Sequence, residues 1–196
     1  MRRAKLAAIM QRFAGDAERL VELGSGVGSI VFELVAGGWR KPILGLELSP
    51  TGRRVAESVA VHYGVEQVEF GHIDLLDPAS EGYRRLAGAT VYTHYCLEQL
   101  PNDTDAVFRN LVAAGVRRAI LIEPTYELLS WTSLRDWASR TYVLRQDYQR
   151  SIVRAARQLE AEGLITIAHT ERLDFVSSYR NAGTLLVFDV RQPDPA

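Results

Sequence analysis

The chain has 196 residues, of which 47% are hydrophobic and 24% charged, and its formal net charge is −1. That length and composition fit one globular domain with a single core and exclude a disordered chain. Near-neutral charge argues against a nucleic-acid partner, whose phosphates call for a basic face; a single cysteine, Cys96, excludes an internal disulfide or a multi-thiolate zinc site and suits a reducing, cytoplasmic setting.

In chain order, the stretch from Met1 to Met10 is broken by charge too early for a secretory leader and reads as a short amphipathic helix. No apolar run reaches the roughly 18 residues that span a bilayer, so no membrane partner is expected. Only about 15 to 20 residues precede the first strand, too few for a helical cap over a site. That strand is predicted at about Arg19 to Leu23, with a helix from Gly28 to about Ala36 closed by Gly37-Gly38. Pro42 to Leu48 reads as a second strand, and Ser49-Pro50 opens the next helix, with proline in its first turn. Val68 to Ile73 and Ala89 to Cys96 are the third and fourth strands, the latter rich in β-branched and aromatic residues. A helix over Asp103 to Ala114 leads to the apolar fifth strand, Ala119 to Ile122, stopped at Pro124. Residues 125–148 are irregular and aromatic-rich and are expected to be an insertion over the site; a long helix is then predicted from about Asp147 to Glu162. The last two strands, about Leu164 toward Phe175 and Thr184 to Val190, leave no room for a helix between them, which makes the last one antiparallel. Alternation of strands and helices predicts an α/β fold built from parallel βα units.

Chemistry concentrates at strand ends. Val21 to Ser29 reads Val-Glu-Leu-Gly-Ser-Gly-Val-Gly-Ser, with glycines at 24, 26 and 28 between a strand and a helix. Glycine lets backbone approach a ligand closely and tolerates positive φ, so this is the loop of a nucleotide-type cofactor. The dinucleotide spacing G-x-G-x-x-G would need glycine or alanine at Ser29, so a pyrophosphate fits imperfectly. Glu47, near the end of the second strand, is placed to accept both hydroxyls of a ribose. Asp74 follows the third strand, where it can accept from an adenine amino group while Ile73 or Leu75 packs on the ring; an aspartate there also serves as a turn former.

Val-Glu-Leu-Gly-Ser-Gly-Val-Gly (Val21 to Gly28), Leu-Gly-Leu-Glu-Leu-Ser (Leu44 to Ser49) and Gly-His-Ile-Asp (Gly71 to Asp74) resemble the first three motifs of class I S-adenosylmethionine-dependent methyltransferases. The resemblance covers roughly residues 15 to 190 in element order. It implies a Rossmann-like, seven-stranded, mostly parallel sheet with helices on both faces and strand seven antiparallel between five and six. It also implies S-adenosyl-L-methionine as cofactor, with Glu22, Gly24, Ser25, Gly26 and Gly28 around its methionine part, Glu47 at the ribose, Asp74 at the adenine with Ile73 or Leu75 on the ring, and Leu48 as a further cofactor contact.

The acceptor side departs from the resemblance. Thr93 to Pro101 carries no Asn/Asp-Pro-Pro-Tyr/Phe motif, which weakens a nucleobase or protein-amide acceptor and favours a small molecule. His94, then Glu98, are the candidates if an acceptor hydroxyl must lose its proton, although His94 also reads as a buried histidine and a sulfonium methyl needs only an in-line nucleophile. Tyr95, Glu123, Tyr126 and Tyr179 are the candidate acceptor contacts. Glu123 and Glu127 read equally as solvent-facing carboxylates, the aromatics as packing, and Cys96 as a small core residue. Aminocarboxypropyl transfer, intramolecular cyclisation of the cofactor and non-catalytic cofactor binding remain as alternatives. A short-chain nicotinamide enzyme is excluded because neither Lys5 nor Lys41 follows a tyrosine by four, and four scattered histidines without a ligand motif make metal independence the default. Nothing in the sequence sets the oligomeric state.

Overall fold

The computed structural model describes residues 2–100, 104–173 and 183–191. Seven strands, β1 (Leu20–Leu23), β2 (Ile43–Glu47), β3 (Val68–His72), β4 (Thr90–His94), β5 (Arg118–Pro124), β6 (Ile165–Arg172) and β7 (Gly183–Val190), form one sheet in the order β3-β2-β1-β4-β5-β7-β6. The pairings from β3 through β5 are parallel, and β7 runs antiparallel to both β5 and β6. The mostly parallel α/β sheet with an antiparallel last strand is therefore as the sequence predicts. Residues 173–182 are too few for the dozen or more that a parallel crossover needs, which forces the final reversal.

Side chains of successive strand residues point to opposite faces, and here both faces are buried. Val21, Leu23, Leu44, Leu46, Val91, Leu121 and Phe188 pack against α4 (Thr104–Ala113) and α6 (Ile152–Ala161), where Phe108 meets Phe188 with ring centroids 5.2 Å apart. Leu20, Ile43, Tyr92, Ile120, Ile122 and Val187 pack against α1 (Arg2–Ala14), α2 (Ser29–Ala36) and α3 (Pro50–His62), through Leu6, Met10, Ile30, Val31, Leu34 and Ala56. Each such aliphatic side chain stabilises the fold by about 1.5–3 kcal/mol. Because β1 connects outward to β2 on one side and lies beside β4 on the other, the carboxyl ends of these strands form the switch point at which open α/β sheets bind ligands.

One region departs from expectation. Residues 125–148 contain a twelve-residue helix, α5 (Leu134–Arg145), and the helix expected from Asp147 begins only at Ile152. Asp147 takes a left-handed φ of 50°, and Gln149 is buried with its N–H donated to the Glu98 carbonyl at 3.0 Å, so the chain turns between the two helices. The inward side of α5 is polar: Asp136, Ser139, Arg140 and Val143 are buried, and Asp136 binds Arg172 of β6. Ser133 caps α5 and Ser49 caps α3, each accepting a backbone N–H three residues on. Among the described residues no helix is long and apolar enough to cross a membrane. Tyr179 and Asn181 lie outside the described residues.

Candidate active site

A cavity of about 430 Å³ opens at the carboxyl ends of β1, β2, β3 and β4. Its lining combines Gly24, Gly26, Glu47, Asp74, Tyr95, Cys96 and Gln99 with the apolar Leu48, Ile73, Leu75, Leu76 and Leu100. A second cavity of about 600 Å³ sits at the opposite, amino-terminal end of the sheet among Asp16, Arg19, Thr90 and Arg117. There Arg117 is already engaged by Asp16 and Thr90, and Arg19 by the Arg85 carbonyl.

The three glycines do different work. Gly24, Gly26 and Gly28 all adopt positive φ, at 71°, 55° and 80°. A Cβ at Gly26 would meet no heavy atom within 4 Å and would project into open space, which is the cradle a ligand needs. A Cβ at Gly24 would lie 2.1 Å from Cys96 Sγ, so this glycine lets the β4 end close on the loop. Gly28 is a packing glycine: a Cβ there would lie 2.7 Å from Phe32 and 3.0 Å from Phe70. It caps α2 and is not among the residues that line the cavity.

Glu47 lines the cavity and accepts the Gly26 N–H on Oε2 at 2.9 Å and the Ser49 N–H on Oε1 at 2.7 Å. A carboxylate has about four acceptor positions, so one on each oxygen is left for a ligand. Asp74 also lines the cavity, and it forms a turn as well, since it accepts the Leu76 N–H at 2.9 Å while its own N–H is donated to Ser80. Tyr83 and Asn110 donate to the Leu75 carbonyl and hold that turn from behind.

Glu22 and Ser25 are not among the residues that line the cavity. Glu22, on β1, is 2% exposed and accepts the Tyr92 hydroxyl at 2.9 Å and the Val31 N–H in the first turn of α2. Burial, with some repulsion from Glu47, pushes its carboxyl up to about 8. Its task is to join β1, β4 and α2 beneath the loop. Ser25 is buried, its Oγ 2.9 Å from where a Cβ on Gly45 would stand.

On the acceptor side, Tyr95 and Cys96 line the cavity; Tyr95 carries a left-handed φ of 55°. His94 and Glu98 are not among the lining residues: the His94 ring stands 4.8 Å from that of Tyr95, and Glu98 is buried in the following 3₁₀ turn, Leu97–Gln99. Glu123, expected to contact the acceptor or face solvent, is buried and is not among the residues that line the cavity. It is 1% exposed and accepts the N–H groups of Cys96, at 3.0 Å, and Leu97, which fixes the turn that forms one cavity wall. Burial raises its carboxyl to about 7. Glu127 likewise caps α6 by accepting the N–H groups of Val153 and Arg154. Tyr126 packs on the Arg140 guanidinium at 4.6 Å and is absent from the cavity wall. The Cys96 thiol is pushed well up by burial and by the neighbouring carboxylates, led by Glu123. Gln99, Leu76 and Leu100 complete the wall and were not singled out from the sequence; the only signal for Leu76 was its place two residues after Asp74.

These shifts fix a pH profile. Glu22 and Glu123 have folded pKa values near 8 and 7, against an ordinary 4.5, so the fold holds their protons more tightly than the unfolded chain does. Stability from this source is complete below about pH 4.5 and is lost as pH rises through 7 and 8. Asp16, lowered to about 2 by Arg117, and Glu162, lowered to about 2 by Arg109, act oppositely and lose their contribution as pH falls below about 4. Thermal melts are expected to show a maximum near pH 5 and a fall toward pH 8. Glu22→Gln and Glu123→Gln should flatten the upper limb; an unchanged slope in both would refute the assignment.

No family model and no curated protein matches the sequence. Solved structures do match. The magnesium protoporphyrin IX methyltransferase ChlM from Synechocystis PCC 6803, with bound SAH, superposes with a TM-score of 0.68 at 16% identity over 97% of this chain and 84% of that one. An O-methyltransferase from Bacillus cereus in complex with SAH gives 0.61 at 14% identity, covering 97% of this chain and 80% of that one. The mitomycin 7-O-methyltransferase MmcR gives 0.68 at 14% identity, with 96% of this chain on 54% of that one. The chain thus has the Rossmann-like fold of class I S-adenosylmethionine-dependent methyltransferases over nearly its whole length.

Proposed function

We propose that this chain binds S-adenosyl-L-methionine and transfers its methyl group to a small-molecule acceptor by in-line displacement. The observation that carries this reading is Glu47, a carboxylate on the cavity wall with one free acceptor position per oxygen, oriented by the N–H groups of Gly26 and Ser49. Two such positions suit the two hydroxyls of a ribose. The second oxygen of Asp74 suits an adenine amino group, Leu48, Ile73, Leu75 and Leu76 suit the ring faces, and the open space at Gly26 admits the rest of the ligand. When bound, the cofactor supplies an electrophilic methyl on a sulfonium. The chain supplies position: Tyr95 and Cys96 form the wall beside Gly24, where the acceptor enters; of residues 125–148, expected as an insertion over the site, none lines the cavity. With His94 and Glu98 off that wall, catalysis rests on proximity and exclusion of water without a dedicated base.

Calorimetric titration with S-adenosylhomocysteine (SAH) tests the binding step, and mass spectrometry of reactions with phenols and amines tests the chemistry. SAH as product supports methyl transfer; methylthioadenosine would replace it with transfer of another part of the cofactor. Gly26→Ala separates cradle from turn. Its positive φ costs about 1–2 kcal/mol, yet its methyl group enters the cavity, so SAH affinity is expected to fall by about tenfold or more with only a modest drop in melting temperature. Unchanged affinity would show that nothing binds against this glycine.

A further inference from the structure

The helix α5 is built inside out. Its buried residues Asp136, Ser139, Arg140 and Val143 recur at helical spacing, as a core-facing stripe should, but three of the four are polar. Its opposite side carries Leu134, Trp137 and Leu144, exposed at 83%, 57% and 50%. Trp131, just before the helix, is 76% exposed and held in place by the Arg140 guanidinium 3.9 Å from its ring centroid. None of these four belongs to either hydrophobic cluster of the sheet. Exposed apolar residues elsewhere, such as Val61 on α3 and Tyr63 just after it, have no comparable array of tryptophan and leucine.

Charge identifies the occupant. Helix α5 carries three arginines and one acidic residue, in a chain whose net charge is −1. That acidic residue, Asp136, is buried against Arg172, and Arg140 is turned inward, whereas Arg135 and Arg145 are exposed. Two copies joined face to face would bring their arginines together, which disfavours self-association through this surface. A polyanion such as nucleic acid would satisfy the arginines and leave the leucines without a use. Tryptophan and leucine flanked by arginine match the boundary between acyl chains and acidic headgroups. We propose that the exposed face of α5, with Trp131, docks in the plane of an anionic lipid bilayer. The docking is peripheral, since no described helix can span a membrane, and it revises the sequence-based expectation of no membrane partner. It also sets the site beside the lipid: the segment following α5 is tied by the Gln149 N–H to Glu98, within the turn whose Gln99 lines the cavity.

The test is flotation of the full chain with vesicles of phosphatidylcholine alone or mixed with phosphatidylglycerol. The protein is expected to float with the mixed vesicles, to be released by high salt, and to shift its tryptophan emission to the blue on binding. Leu134→Ser with Trp137→Ser should weaken binding by about tenfold or more, as should Arg135→Glu with Arg145→Glu, while Val61→Ser with Tyr63→Ser should leave it unchanged. All these positions are exposed, so the variants keep the fold, and their melting curves verify it. Failure of the folded protein to bind either vesicle would overturn the proposal. So would binding indifferent to Leu134 and Trp137, a dimer that the same substitutions dissociate, or retention on nucleic acid in preference to the mixed vesicles.

Discussion

Replacing Glu47 with alanine is expected to weaken SAH binding by at least about a hundredfold. Hydrogen bonds to a charged group contribute about 1.5–3 kcal/mol each, and the variant removes two from the ribose. It also frees the N–H groups of Gly26 and Ser49, which orient the glycine loop and the start of α3. A modest loss of thermal stability should therefore accompany the loss of affinity. Glu47→Gln keeps the shape but offers one acceptor oxygen in place of two, so it should bind with intermediate affinity. Calorimetry on both variants, with melting curves as the control for folding, makes the comparison. Wild-type affinity in Glu47→Ala would remove the ribose from this carboxylate.

Gly28→Ala should act on the fold. At φ 80° an alanine costs about 1–2 kcal/mol in backbone strain. Its Cβ would meet Phe32 at 2.7 Å, Phe70 at 3.0 Å and Ala56 at 3.3 Å, an overpacking that costs a further 1–3 kcal/mol or so. The sum, about 2–5 kcal/mol, corresponds to a fall in Tm of about 5–15 °C for a chain of this size. Set beside Gly26→Ala, which should lose affinity more than stability, this pair tests whether neighbouring glycines of one motif divide binding from packing. Equal losses of stability in both would contradict the division.

The pattern of the sequence reaches as far as local signals do. The strand that ends in Gly24-x-Gly26-x-Gly28, the acidic residue at position 47 and the closing hairpin each lie within a short stretch of chain, and the sheet order follows from them. The helix α5 escaped because periodicity is read from apolar residues, and here the stripe that faces the protein is Asp136, Ser139 and Arg140. Glu123 and Glu127 stand at a strand end, where a ligand carboxylate belongs. Their partners are backbone N–H groups 26 or 27 residues away, and residue types cannot show that. Glu22 looks like part of the cofactor loop because it adjoins it, yet on a strand a side chain two places before Gly24 is directed by the pleat, and this one is directed at Tyr92.

A crystal structure of the protein with SAH tests the central claim most directly. The ribose hydroxyls are expected within about 2.6–2.9 Å of the Glu47 carboxylate, with the adenine between the side chains of Leu48, Ile73 and Leu75 and its amino group at Asp74. Ligand density in the amino-terminal cavity around Arg117, or a folded crystal soaked in SAH whose strand-end cavity holds none, would contradict it.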